Sequence, residues 1–166
     1  MKTFLPLLLA LGLAACQGDA AAPRAAQDVK ADTACALDGM LLADYPGPKA
    51  QIHYAQGEPD FFCDTVEMFS LMLKPEQART VAAAYVQDMG SADWTTPRGH
   101  WVDARSAFYV QGSSQHGAMG PTLASFARRD AAERFAKQYG GQVLAFAQVT
   151  PDMVRLDGGA LHDQSM

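Results

Sequence analysis

The segment Asp64-Thr65-Val66-Glu67-Met68-Phe69 decides the predicted fold, because its pattern occurs twice in the chain. It returns as Asp130-Ala131-Ala132-Glu133-Arg134-Phe135, so that Asp-x-x-Glu-x-Phe is common to both. In each copy the Asp is expected to cap the free amides of a helix, and the Glu three residues later to bond back to the cap. The pattern therefore predicts two helices that begin in the same way.

A second repeated motif precedes each predicted helix. Tyr54-Ala55-Gln56-Gly57 recurs as Tyr109-Val110-Gln111-Gly112, and each follows an extended segment that closes at a glycine turn. Six residues separate Gly57 from Asp64, whereas seventeen separate Gly112 from Asp130. The second copy therefore contains an insertion of eleven residues. The matched order predicts an α+β fold of two related strand–strand–helix–strand lobes, the first at residues 33–93 and the second at 94–153.

The remaining elements are predicted from hydrophobic spacing and from turn residues. Pro75 can occupy the first turn of a helix, and apolar residues recur at helical spacing after it. Gly140-Gly141 is expected to end the last helix, and Met68 is interpreted as gap-filling core. We predict strands at 50–54, 58–63, 101–110, 123–127 and 142–149, and helices at 64–73, 75–89 and 130–139.

The first fifteen residues are predicted to be a lipoprotein signal peptide and not part of the fold. The apolar run at 4–13 is too short to span a bilayer and ends in small residues. Leu13-Ala14-Ala15-Cys16 resembles the lipobox of bacterial lipoproteins, which implies acylation of Cys16; a plain signal peptidase site is the alternative. Gln17 resembles the sorting position of lipoproteins sent to the outer membrane. Residues 16–32, poor in large apolar groups, predict a flexible tether.

Composition restricts the partners and the chemistry. The formal net charge is −5 and there is no block of basic residues, which argues against nucleic acid as a partner. The chain has three cysteines, and Cys35 and Cys63 remain once Cys16 is assigned to lipidation. Because the compartment is oxidising, a thiol-dependent redox or structural lipoprotein with a Cys35–Cys63 disulfide is one alternative.

Four residues are candidate metal ligands. Cys35-Ala36-Leu37-Asp38-Gly39-Met40 places a thiol and a thioether on either side of a turn signal, so that the Cys35 and Met40 sulfurs can face one point. Soft sulfur ligands suit Cu(I) far better than calcium or magnesium, although a buried Cys beside a Met is also ordinary core. The insertion adds His116 and Met119 in a loop rich in Gly and Ser, where sites tend to lie.

Three further residues are auxiliary candidates. Cys63 directly precedes the cap of the first helix, whose amides can lower a thiol pKa. It can be a ligand, a disulfide partner of Cys35 or a packed thiol, and we favour packing or a redox role over ligation. His162 and Met166 lie in the C-terminal tail, 154–166, which we predict to be mobile. A thiol enzyme is disfavoured, because no residue pattern would orient a nucleophile and there is no Cys-x-x-Cys motif.

These motifs together resemble the NosL family of copper-binding lipoproteins, which are accessory to nitrous oxide reductase. Family members often carry Cys-x-x-Cys-Gly-Met, so Asp38 stands where the second Cys would be, and Ala118 stands where many have Pro. The matching features are the lipobox at Cys16, Cys35…Gly39-Met40, Lys49-Ala50-Gln51-Ile52, Gly117-Ala118-Met119-Gly120, Phe126…Ala131…Phe135 and Gly140-Gly141-Gln142-Val143.

The resemblance implies two lobes of ββαβ type, related to the fold of organomercurial lyase, and a Cu(I) chaperone, not an enzyme. It implies delivery of copper for the copper–sulfide centre of nitrous oxide reductase, together with a membrane-bound maturation complex, from a lipid anchor facing the periplasm. We expect Cys35, Met40, His116 and Met119 to bind Cu(I) in a low-coordinate site, in a monomer or a weak metal-linked dimer.

Overall fold

The computed structural model describes residues 24–76 and 78–156. The predictions for the signal peptide, Cys16, His162 and Met166 lie outside the described residues. None of the helices in the described ranges is both long enough and apolar enough to cross a bilayer. The elements are β1 (Ala50–Tyr54), β2 (Asp60–Phe62), α1 (Thr65–Met72), β3 (Val81–Gln87), β4 (Trp101–Asp103), β5 (Phe108–Gln111), β6 (His116–Gly117), β7 (Gly120–Pro121), β8 (Ala124–Phe126), α2 (Arg129–Tyr139) and β9 (Gln142–Ala145).

The two main sheets have the same internal topology. One has the order β2-β1-β3-β4 and the other β8-β5-β9, with antiparallel pairing throughout. In both, the first strand of the unit is central, and a helix connects the second strand to the third. The predicted α+β fold with a repeated ββαβ unit is therefore confirmed. One hydrophobic core takes Ile52, Tyr109 and Leu144 from the two sheets and Phe69 from α1. The boundaries of the lobes stay a prediction.

The two helices begin differently. An amide of the first turn of α1 donates to the Asp64 side chain at 2.9 Å, and the Asp64 amide donates to Glu67 Oε2 at 3.2 Å, so the predicted capping box is confirmed. Helix α2 begins one residue before Asp130 and has no side-chain cap. Asp130 instead accepts hydrogen bonds from Arg128 at 2.9 Å and Arg134 at 2.8 Å. The second predicted cap is wrong, because these guanidinium groups hold the carboxylate at the surface.

The helix predicted at 75–89 is wrong, because this segment contains strand β3. The strand pairs with β1 on one side and with β4 on the other, and Ala84 and Val86 are buried in the core. Pairing on both edges gives the backbone amides partners in the sheet, and this tertiary context overrides the helical spacing of the sequence.

The long strand predicted at 101–110 is two strands, because a turn separates β4 from β5. Asp103 O accepts from the amides of Ser106 and Ala107, each at 3.2 Å. The closing strand predicted at 142–149 ends earlier, since β9 runs only to Ala145 and a 3₁₀ turn, Phe146–Gln148, follows. Gly140 at the end of α2 has φ 79°, as expected of a glycine that stops a helix.

The described end of the predicted tether lies against the first sheet. Gln27 exchanges two hydrogen bonds with the buried Gln51 side chain, at 2.8 and 2.9 Å. The Arg24 guanidinium donates to Gly57 O at 2.8 Å, and Trp101 Nε1 donates to Asp28 at 3.1 Å. A buried amide requires partners, and the chain supplies them here. Residues 24–28 thus have partners on the first sheet, and the flexible tether at residues 16–32 stays a prediction.

Candidate metal centre

The turn predicted at Asp38-Gly39 folds the chain back on itself. The Cys35 amide donates to Met40 O at 2.8 Å, and the Gly39 amide donates to Cys35 O at 2.9 Å. Gly39 has φ 78°, and Asp38 Oδ1 accepts the Met40 amide at 2.9 Å. The backbones of Cys35 and Met40 are thus paired in a narrow turn, and the half-buried Met40 side chain packs against the cluster that contains Cys35.

Two thiols and a carboxylate, Cys35, Cys63 and Glu67, form what we call the thiol pocket. The Cys35 and Cys63 thiols donate to the same oxygen, Glu67 Oε2, at 3.3 and 3.2 Å. With Asp38, the ligand atoms of this group lie within 4.8 Å of one another. Both cysteines are buried and free, so the structure does not contain the disulfide that the sequence left open.

Local structure explains why these side chains meet. Cys63 follows directly on strand β2, and Glu67 comes four residues later, one helical turn along, at the start of α1. The Ala36 amide donates to Phe61 O at 2.8 Å and attaches the Cys35 turn to the end of β2. From the sequence, Glu67 is predicted only as a capping residue. Its four-residue spacing from Cys63 was the signal that it shares a face with that thiol.

The two thiols differ in acidity. Hydrogen bonds to the Cys35 sulfur, first from the Cys63 thiol and then from backbone amides, hold the pKa of Cys35 below its usual value, against the effect of burial. The pKa of Cys63 is raised, first by its hydrogen bond with Cys35 and then by burial of the thiol and by the neighbouring Glu67 charge. The lowered pKa predicted for Cys63 is therefore wrong, and Cys35 is the thiol that ionises first.

Two further ionisable groups are buried beside the thiol pocket. Lys49 Nζ donates to Pro46 O at 2.9 Å and to Cys63 O at 3.1 Å, and burial lowers the pKa of Lys49 to about 8. Burial also raises the pKa of Asp64, the cap of α1, to about 6. Lys49 thus places an ammonium group close to the thiols, which favours anionic sulfur at this point.

The insertion of the second repeat forms a two-stranded hairpin at residues 116–121, the inserted hairpin, which reaches the N-terminus of α1. Ala118 packs against the cluster of Cys35 and Cys63. A side chain at Gly117 would collide with the Asp64 carboxylate. The hairpin is held from its other side by Trp94, whose Nε1 donates to His116 O at 3.0 Å.

Only some of the predicted ligands lie together in the structure. Cys35 and Met40 belong to one cluster, and Cys63, predicted as auxiliary, lies beside them. The side chains of His116 and Met119 are exposed, Met119 by 43%, although Ala118 between them touches the cluster. Both residues flank Ala118 and lie on the exposed edge of the hairpin, which we call the rim of the pocket.

Comparison with known proteins identifies the family. The family model NosL matches residues 26–154. The chain belongs to the NosL family. It is 38% identical over 170 residues to the copper-binding lipoprotein NosL of Stutzerimonas stutzeri, covering 98% of this chain and 89% of that protein. It is 40% identical over 148 residues to the copper-binding lipoprotein NosL of Achromobacter cycloclastes, covering 86% and 76%.

A solved NosL structure has the same fold. The crystal structure of the copper chaperone NosL from Shewanella denitrificans superposes with a TM-score of 0.76 at 39% sequence identity, covering 79% of this chain and 99% of that one. The resemblance to the NosL family that the sequence motifs predicted is confirmed.

Proposed function

We propose that this protein is a lipid-anchored copper chaperone that binds Cu(I) and supplies it for the copper–sulfide centre of nitrous oxide reductase. The observation that carries the proposal is the position of Cys35. It is the more acidic of two buried thiols and lies beneath the inserted hairpin that contains Met119. Relatives named copper-binding lipoprotein and copper chaperone support copper as the cargo.

The ligand chemistry favours the monovalent ion. Cu(I) is soft and takes thiolate and thioether ligands in preference to oxygen. In this proposal the Cys35 thiolate anchors the ion and neutralises its charge, and Met40, Met119 and the His116 imidazole supply the remaining donors. Binding should weaken in acid, because protons compete for the thiolate.

Transfer requires an open side, and the exposed rim of the pocket supplies one. Met119 and His116 are exposed at the inserted hairpin, so a recipient ligand can approach there while Cys35 still holds the ion. Loop ligands can then be replaced one at a time, without release of free copper. The role needs no catalysis by this chain.

The location and partners complete the proposal. Acylation of Cys16 would anchor the chain to a membrane, facing the periplasm. Gln17, at the sorting position of lipoproteins, would direct the chain to the outer membrane. The recipients would be nitrous oxide reductase and its membrane-bound maturation complex. The chain would act as a monomer or a weak metal-linked dimer, with His162 and Met166 as auxiliary donors.

Cu(I) titration of the reduced full chain against a competing chelator tests the proposal. Cys16→Ser should be present in every sample, so that Cys35 and Cys63 are the only thiols. We expect tight binding of one Cu(I) per chain that is lost in Cys35→Ser. Met68→Leu is the matched control, because it removes a sulfur from the main core and not from the pocket. Binding that survives Cys35→Ser unchanged would remove the proposal.

A further inference from the structure

The thiol pocket contains a second sulfur that the proposed ligand set does not use. Cys63 Sγ lies within 4.8 Å of Cys35 Sγ and is fully buried. The side-chain partner of both thiols is one oxygen of Glu67, at 3.3 Å from Cys35 and 3.2 Å from Cys63. Two thiols that point at the same atom from separate parts of the chain are arranged as a pair of donors.

The two carboxylates near the sulfurs are already engaged. Asp38 Oδ1 holds the Met40 amide at 2.9 Å, and Glu67 Oε2 accepts the Asp64 amide at 3.2 Å as well as the thiols. Glu67 Oε1 accepts no hydrogen bond among the described residues, although Glu67 is fully buried. A buried carboxyl oxygen without a partner is costly, and a cation beside it lowers that cost. Of the donors in this group, the two sulfurs are the soft ones that suit Cu(I).

The distance between the sulfurs and their chemistry both suit a soft ion placed between them. Two metal–thiolate bonds of about 2.3 Å, the zinc value, span roughly 4.6 Å when placed in a line, which is compatible with the 4.8 Å limit on the sulfur separation. Both sulfurs become thiolates when they bind a metal ion, and thiolate sulfur is a soft donor of the kind that Cu(I) prefers.

We propose that Cys63 is a second Cu(I) ligand and that the resting, loaded protein holds Cu(I) between the Cys35 and Cys63 sulfurs, beside Glu67. The proposal rests on the proposed function, since it takes Cu(I) as the cargo. On binding, the S–H bonds of Cys35 and Cys63 both break and their two protons leave to solvent, two Cu–S bonds form, and no electron is transferred. Met119 on the inserted hairpin then replaces Cys63 as a ligand during transfer.

The first test removes the second thiol. In the full chain with Cys16→Ser, Cys63→Ser keeps a hydroxyl that can donate to Glu67 but removes the soft donor. Loss of an outer-shell partner typically weakens metal binding by about 10–100-fold, so loss of a direct ligand should weaken Cu(I) binding by at least ~100-fold in chelator competition. Copper X-ray absorption should show two sulfur ligands before the change and fewer after it.

The second test leaves the buried thiols intact, in case Cys63→Ser fails to fold. A Met40→Leu, Met119→Leu double variant removes the thioethers beside the pocket, and neither side chain is fully buried, since Met40 is half-buried and Met119 is exposed. The loaded double variant should retain two sulfur ligands by X-ray absorption. A single sulfur ligand in this variant would overturn the proposal.

The outcomes separate the two proposals. Unchanged affinity and sulfur count in Cys63→Ser, with binding lost in Cys35→Ser, would overturn the role of Cys63 and leave the proposed function standing. Absence of Cu(I) binding by the chain that retains both thiols would overturn the proposed function itself.

Discussion

Gly117→Ala should displace the inserted hairpin from the thiol pocket. A Cβ at this position would overlap the Asp64 carboxylate and would lie 3.0 Å from Thr122 Cβ and 3.1 Å from its Oγ1. On the opposite side, Gly47 approaches so closely that its own Cβ would be 2.6 Å from Gly117 Cα. The hairpin is confined on both sides, and the added methyl group can be accommodated only if it moves.

The magnitude follows from the burial of these neighbours. Overpacking typically costs about 1–3 kcal/mol. We expect about 3 kcal/mol here, since Asp64 and Thr122 are both buried and Thr122 Oγ1 donates to Asp64 at 2.7 Å. For a folded region of this size, that loss lowers the Tm by roughly 10 °C. Movement of Ala118 away from Cys35 should also weaken Cu(I) binding.

Thermal unfolding by circular dichroism and Cu(I) competition measure the two effects. Gly120→Ala is the matched control in the same hairpin. Its φ of +90° makes any side chain strained, by about 1–2 kcal/mol, but no atom lies within 4 Å of the added Cβ. It should therefore lose stability without the same loss of copper affinity.

Two results would refute this reasoning. A Tm for Gly117→Ala within 2–3 °C of the unmodified chain, small against the roughly 10 °C expected, would mean that the close contact with Asp64 is absent in solution. Equal loss of Cu(I) affinity in Gly117→Ala and Gly120→Ala would mean that the position of the hairpin against the pocket does not matter for binding.

Three other substitutions test the burial and contacts around the site. Burial raises the pKa of Asp64 from 3.8 to about 6, so between these pH values the folded state binds more protons than the unfolded state. Acidification from pH 6 to 4 should therefore stabilise the unmodified chain relative to Asp64→Asn, by up to about 3 kcal/mol. Urea unfolding that shows no such difference would contradict this. Met68→Leu should cost less than about 1.5 kcal/mol and leave Cu(I) affinity unchanged, because Met68 is fully buried in the main core; weaker copper binding would make this Met more than core. Trp94→Phe removes the donor to His116 O, at 3.0 Å, and should cost up to about 1 kcal/mol; faster amide exchange in the inserted hairpin is the expected readout, and unchanged exchange would count against the bond.

The sequence by itself determined the features that depend on neighbours a few residues apart. The Asp64–Glu67 capping box, the turn between Cys35 and Met40 and the glycine stop after α2 were all predicted, because each is an interaction within one helical turn or one hairpin. The order of these local signals was also sufficient to reveal the repeated ββαβ unit. That order, with the residues at the turns and loops, predicted the family.

Only the tertiary structure decided which segments meet across the chain. Strand β3 has the spacing of a helix, and it is a strand because β1 and β4 pair with both of its edges. Cys35 reaches Glu67 across 32 positions, and Thr122 reaches Asp64 across 58. The physical reason is that the packing of strands, turns and hairpin sets these contacts, and no residue within a few positions of Cys63 in the sequence reveals that a second thiol lies beside it.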